Sequence, residues 1–316
     1  MNYLSLFSGI DAASVAWEPL GFKCLGFSEI EKFACGVLKH HYPNIRNYGD
    51  IKQITKEDLN EIIGKTDIII GGSPCQSFSM AGKREGLKDD RGNLMWQYCR
   101  IVEMVRPRWF IWENVPNALA VEKGQAFSSL INKMANIGYS VGWRVLDSKW
   151  FGIPQQRRRV FLVGCIGNKQ GPLKVLFETE SGKPPPESIK SPRNHHTPKA
   201  WSSTKQVGGL KWELDTPYSG CIVLRDYKGI CPGFMGKNTQ KLVIEKEGDS
   251  TNVRRFTPLE YERLQGLPDN YTQIRWGNKE AQDCPVSPRY RAVGNSFAVP
   301  VVRWLGERIV KFENNK

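Results

Sequence analysis

Apolar runs and helix-length segments alternate through the first 170 residues. Tyr3 to Phe7 is a strand-length run that leads into helix-like Ala12 to Leu20. Lys23 to Phe27 leads into Lys32 to His41, and Asp67 to Ile70 precedes the amphipathic stretch Leu94 to Val105. Arg108 to Trp112 and Arg159 to Gly164 add further strands. Alternation of this kind predicts an α/β fold, a mostly parallel sheet with helices on both faces. Between about 171 and 252 the rhythm is lost. Pro184-Pro185-Pro186, Ser191-Pro192, Thr197-Pro198 and Gly208-Gly209 punctuate short runs such as Cys221 to Leu224 and Lys241 to Glu245, the composition of a separate loop-rich module. Order returns at Thr257-Pro258-Leu259-Glu260, a helix start with proline in the first position and an acidic first turn, and Pro300 to Phe312 predicts a last helix. The expected partition is a larger domain over 1–171, to which 290–316 returns, and a smaller one over 172–289.

Composition narrows the partner. The 316 residues are 40% hydrophobic, enough for a core without staples, and 45 Lys and Arg against 32 Asp and Glu give a net charge of +13. That excess favours a polyanion over a neutral metabolite. The eight cysteines show neither a Cys-x-x-Cys pair nor a regular spacing to histidine, so neither metal nor disulfides are expected. Met1 to Phe7 is too short and uncharged for a signal peptide, and no long apolar stretch follows. The expected location is the cytoplasm, with no membrane partner.

The candidate chemistry lies at strand ends. Cys75 stands behind Pro74 where the run Asp67-Ile68-Ile69-Ile70 must stop, followed by polar Gln76, Ser77 and Ser79. A thiol at the carboxyl edge of a parallel sheet faces a ligand crevice, whereas most intracellular cysteines are small core residues. Glu113-Asn114 ends another strand-like run. Gly9, Glu29 and Asp50 end the first strands without a glycine-rich cradle for pyrophosphate, which suits an adenosine-containing methyl donor better than NAD.

With these residues in hand the chain resembles the DNA cytosine-5 methyltransferases of bacterial or phage type. The motifs that carry the likeness run in the family's order: Phe7-Ser8-Gly9; Glu29; Gly49-Asp50; Pro74-Cys75-Gln76; Arg91-Gly92-Asn93-Leu94; Glu113-Asn114-Val115; Gln155-Gln156-Arg157-Arg158-Arg159; then Arg254 with Thr257-Pro258, and Gly294-Asn295-Ser296. Asp11 and Ala12 stand where the family commonly has glycines. The resemblance implies a Rossmann-like S-adenosylmethionine-dependent domain with a smaller, loop-rich target-recognition domain. It implies that Cys75 is the nucleophile, that Glu113 holds the cytosine edge, and that Arg157 and Arg159 support the flipped base. Phe7, Gly9, Ile10, Glu29, Ile30, Asp50, Ile51, Pro74, Leu94, Asn295 and Ser296 would line the cofactor pocket. Gln76, Ser79, Lys83, Arg84, Arg91, Gln155 and Arg254, with Arg225 and Lys228 from the variable segment, would meet duplex DNA. The enzyme is expected to act as a monomer, with any cognate restriction endonuclease acting separately. A transfer-RNA substrate, a catalytically silent DNA-binding relative and an NAD-dependent dehydrogenase are the competing readings. The last explains neither Cys75 nor the charge.

Overall fold

The computed structural model describes residues 1–74, 93–177, 206–207, 210–211, 242–247 and 250–315. Its centre is a six-stranded sheet. The strands are β1 (Asn2–Leu6), β2 (Lys23–Ser28), β3 (Ile68–Gly71), β4 (Trp109–Asn114), β5 (Tyr139–Asp147) and β6 (Arg158–Ile166), in the order β2-β1-β3-β4-β6-β5. The first four are parallel, because each is reached through a helical or looped crossover. β6 then runs antiparallel to both β4 and β5. The parallel half matches the alternation of the sequence. The antiparallel pair at one edge is an addition, and β5 was not anticipated. Beyond the sheet, the backbones of Leu242–Glu247 and Ser250–Arg255 form an antiparallel hairpin.

Both faces of the central strands are buried, so they read as unbroken apolar runs rather than alternating ones. Ile68, Ile70, Trp109, Ile111 and Val163 point into one core, packed by the helices Ala12–Trp17, Lys32–His41 and Val299–Asn314. Ile69, Phe110, Trp112 and Leu162 point into the other, against the helices Asn93–Val105 and Gln125–Asn136. The two cores are therefore divided by the side-chain alternation of single strands. Trp17 is buried completely and donates its indole N–H to the Val302 carbonyl at 2.8 Å. Gly306 makes room for it, since a Cβ there would lie 2.5 Å from that nitrogen.

The chain rejoins the first core earlier than residue 290. Tyr261, Leu264, Leu267, Tyr271, Ile274 and Cys284 all pack with Tyr3, Ile10 and Trp17. The helix Pro258–Gln265 begins with proline in its first position and an acidic first turn, as its sequence predicts, and adds a reciprocal cap between Thr257 and Glu260. Its Glu262 carboxylate is wholly buried, accepts from the Thr272 N–H at 2.9 Å and from its hydroxyl, and pairs with Arg289 at 3.1 Å on the helix Val286–Asn295. Tyr271 stacks on His41 with centroids 4.1 Å apart, takes the His41 Nε2 on its carbonyl at 2.8 Å, and donates its hydroxyl to the Ile10 carbonyl at 2.9 Å. Among the described residues no helix is long and apolar enough to cross a membrane.

Two measurements check this account. Glu262→Gln leaves the buried Arg289 guanidinium without its counter-charge and is expected to lower the free energy of unfolding by about 3 kcal/mol in urea titrations. Burial pushes the His41 pKa below its ordinary value of about 6.5, so the unfolded chain binds that proton more readily than the folded one. Stability is then complete above that value and falls as pH drops through the folded-state pKa. His41→Gln should lose less stability than the wild type between about pH 7.5 and pH 5.5.

Candidate active site

Leaving β1, the chain goes first to β2 on one side and later to β3 on the other, which opens a crevice beyond the carboxyl ends of these strands. The turn out of β1 is tightly wound. Phe7, Gly9 and Asp11 all take left-handed backbone angles, with φ of 50°, 57° and 50°. A side chain in this region costs on the order of 1 kcal/mol or more, so the turn must be held by its surroundings. Asp11 does much of the holding. Its carboxylate accepts from Ser5 Oγ at 2.7 Å, from the Ser14 N–H at 3.0 Å and from the Tyr3 hydroxyl at 3.3 Å. Burial raises its pKa. The left-handed angle accounts for a glycine at this position in the resembling family. Aspartate, short and able to bond locally, tolerates it and caps the following helix.

The β2 end carries Glu29. Its Oε2 accepts the Gly9 N–H at 2.7 Å, and its Oε1 accepts the N–H groups of Ile30 at 2.8 Å and Glu31 at 2.7 Å. One carboxylate thus ties the exits of β1 and β2 together. Ile30 beside it is 68% exposed, an unusual position for a large aliphatic side chain. Asp50 caps its own turn through the Lys52 N–H at 3.0 Å. Ile51 and Ile54 are buried behind it, and Arg100 donates to both their carbonyls at 2.7 Å. Leu94 packs half-buried against the same core, and Pro74 stands exposed at the β3 exit.

The β3 and β4 ends are locked to each other. Gly71 lies so close to β1 that a Cβ would meet the Leu6 carbonyl at 2.6 Å. Ser73 receives the Trp112 indole N–H on its hydroxyl at 3.2 Å and the Asn114 amide on its carbonyl at 3.0 Å. Glu113, 9% exposed, is paired through Oε1 with Arg159 Nε at 3.0 Å. Its other oxygen lies against Gly72, 2.9 Å from where a Cβ would stand.

Two expected contacts, Gln155 and Arg157, are corrected, and a third, Arg254, has an internal partner. Gln155 is fully buried and donates its amide to the Leu264 carbonyl and Gln265 Oε1, both at 2.7 Å, so it is an internal strut rather than a DNA contact. Arg157 is 4% exposed and donates to the carbonyls of Gly294 at 3.2 Å and Ser296 at 2.9 Å, which makes it a support of that loop and not a group facing a base. Arg254 grips Glu260 through two bonds, at 2.8 and 3.0 Å, and braces the helix start. Ser296 is buried and takes the Gln265 amide on its carbonyl at 2.6 Å, while Asn295 beside it is exposed. Ile10 and Ile51 face the cores, so only their backbones are open to the crevice. Sequence reading missed Ser73, Arg100, Gln265 and Asn47. Ser73 adjoins the Pro74-Cys75 motif and was within reach of it; the other three act across long sequence separations. Cys75, Gln76, Ser79, Lys83, Arg84, Arg91, Arg225 and Lys228 lie outside the described residues.

The profile of the family described as C-5 cytosine-specific DNA methylase matches residues 1–311. The Type II methyltransferase M1.ScrFI of Lactococcus lactis subsp. cremoris is 30% identical, over 98% of this chain and 77% of its own length. M.SsoII of Shigella sonnei is 30% identical, over 97% and 79%. A protein of Escherichia phage P1 named a DNA N-6-adenine-methyltransferase is 28% identical over 98% of this chain, which spans 61% of that protein's length. Among solved structures, the Dnmt2 methyltransferase of S. pombe superposes with a TM-score of 0.71 at 18% identity, over 99% of both chains. The methyltransferase EhMeth of Entamoeba histolytica gives 0.71 at 17%, over 100% of this chain and 99% of its own, and at such identities the likeness concerns the fold. With a crevice at the switch point of a methyltransferase-like sheet and a family profile that spans nearly all of it, the chain belongs to the C-5 cytosine-specific DNA methylase family.

Proposed function

We propose that this chain transfers a methyl group from S-adenosylmethionine to carbon 5 of a cytosine swung out of a short duplex DNA sequence, by way of a bond from Cys75 to carbon 6. The observation that carries the reading is the Glu113–Arg159 pair at 3.0 Å, at the end of β4 and against the Gly72-Ser73-Pro74 exit that leads to Cys75. Carbon 5 is too weak a nucleophile to attack a sulfonium methyl unaided. A thiolate that adds to carbon 6 makes the ring electron-rich, and a carboxyl group at the ring's nitrogen 3 edge draws charge away as the bond forms. Arg159 holds one oxygen of Glu113 and orients the other. After methylation a base takes the carbon 5 proton, the sulfur–carbon bond breaks and the thiolate is restored. The target must leave the helix for both faces of its ring to be reached, as general for such chemistry.

The crevice suits the proposed donor. A Cβ on Gly9 would meet nothing within 4 Å, so there is open space against the β1 turn. The Glu29 carboxylate, with three of roughly four acceptor positions used, can still take a ribose hydroxyl. Exposed Ile30 and half-buried Phe7 offer apolar faces to a purine, with Asp50 at its rim. When bound, S-adenosylmethionine supplies an electrophilic methyl group. Pro74, Leu94, Asn295 and Ser296 complete the proposed wall, and the variable segment between residues 171 and about 252 is assigned to target recognition. The positive charge serves the DNA backbone. The enzyme is read as a cytoplasmic monomer, independent of any restriction endonuclease with the same target.

Two experiments test the reading. Cytosine-methylation sequencing of a plasmid from a methylation-free host expressing the chain should show marks at one fixed short motif that vanish with Cys75→Ser; an unmarked plasmid from soluble wild-type protein would overturn it. Glu113→Gln removes the acid–base group from the nitrogen 3 edge of the ring and should lower kcat on the order of 10²-fold. Unaltered turnover in that variant would remove Glu113 from the mechanism.

A further inference from the structure

The crevice has two acidic corners, Glu29 after β2 and Gly49-Asp50 farther along, and one side chain joins them. Asn47 Oδ1 accepts the backbone N–H of Glu29 at 3.1 Å and that of Gly49 at 3.0 Å. Its Nδ2 donates to the Glu29 carbonyl at 3.0 Å and to the Cys35 sulfur at 3.4 Å. A primary amide has two donor hydrogens and two acceptor lone pairs, so all of its capacity is engaged. The partners also fix its orientation, since an N–H can only donate and a carbonyl can only accept. The Cys35 thiol in turn donates to the Glu29 carbonyl at 3.2 Å, so amide and thiol share one acceptor.

The backbone places Asn47 for this task. It forms an isolated parallel bridge with Phe27, flanked by Phe27 N–H to the Arg46 carbonyl at 2.9 Å and Tyr48 N–H to the Phe27 carbonyl at 2.8 Å. This is a vestigial seventh strand one bridge long, and it brings the amide level with the end of β2. The other direct link between the corners is the Ser28 hydroxyl on the Gly49 carbonyl, at 2.8 Å. Asp50 is also fixed from behind, where Arg100 holds Ile51. Asn47 is exposed and lies outside both cores, and the hydrogen bonds of its side chain go to the corners and to Cys35.

We propose that Asn47 is a positioning residue for the cofactor, setting the distance between the Glu29 carboxylate and the Asp50 corner to fit one adenosine group. This rests on the reading of the crevice as the S-adenosylmethionine site. Water can satisfy the freed backbone groups of an exposed turn, so the fold survives loss of the amide while the spacing does not.

The test measures S-adenosylmethionine binding by calorimetry, steady-state kinetics against DNA and cofactor, and thermal unfolding without cofactor, for Asn47→Ala, Asn47→Asp and Glu29→Ala. Asn47→Ala should raise Kd and KM for S-adenosylmethionine about tenfold, as expected for the loss of one or two net hydrogen bonds, with kcat and the KM for DNA unchanged. Asn47→Asp keeps the accepted bonds and loses the donated ones, so its KM should fall between the two. Unaltered cofactor affinity in Asn47→Ala, with a large loss in Glu29→Ala, overturns the positioning role and leaves the site intact. Equal loss of kcat and DNA affinity, with a lowered unfolding midpoint, overturns it in favour of a general structural role. Full affinity in Glu29→Ala overturns the site itself, and the proposal with it.

Discussion

Strands β1, β3 and β4 are packed on both faces, and this burial governs where everything else in the molecule can be. A polar side chain on the body of such a strand would need a partner inside a core, so chemistry is displaced to the carboxyl ends. The close approach of Gly71 to the Leu6 carbonyl draws β3 against β1, and the Trp112 and Asn114 contacts to Ser73 draw the exit of β3 against β4. The crevice and the Glu113–Arg159 pair follow from one sheet whose strand bodies are almost wholly apolar, with Ser5 on β1 held by Asp11.

The apolar runs made this half of the molecule legible. Ile68 to Ile70 and Phe110 to Trp112 can only be buried strands, and the polar residues just beyond them were the natural candidates for a site. Strand β5 escaped notice although Tyr139, Val141, Trp143 and Val145 alternate in its sequence. It lies at the sheet edge, with Gly142 and Arg144 interrupting the apolar signal. The helix Gln125–Asn136 was equally available in the spacing of Phe127, Leu130, Ile131 and Met134. Gln155 and Arg157 misled for a different reason. Each is polar and sits among basic residues, and only the return of Leu264, Gln265 and Gly294 to Ser296 from more than a hundred positions away turns them inward. Local sequence holds no trace of that return.

The same return gives the molecule its second organising feature. Gln155 with Gln265 and Arg157 with the Ser296 carbonyl form buried polar joints between the late chain and the approach to β6, and Glu262 with Arg289 ties two late helices to each other. Burying such groups gains little stability over apolar packing, but each tolerates only one arrangement of its partners. The joints act as register marks. They fix where Gly294 to Ser296 stands relative to the start of β6.

The turn from Phe7 to Asp11 carries a thermodynamic consequence. Two non-glycine residues there take left-handed conformations, and Asp11 is held in its own by contacts made within the protein. The unfavourable backbone energy at Asp11 is thus compensated when the chain folds, through Ser5 and Tyr3. A ligand that enters the crevice meets a wall already in its final shape and does not spend affinity on ordering it.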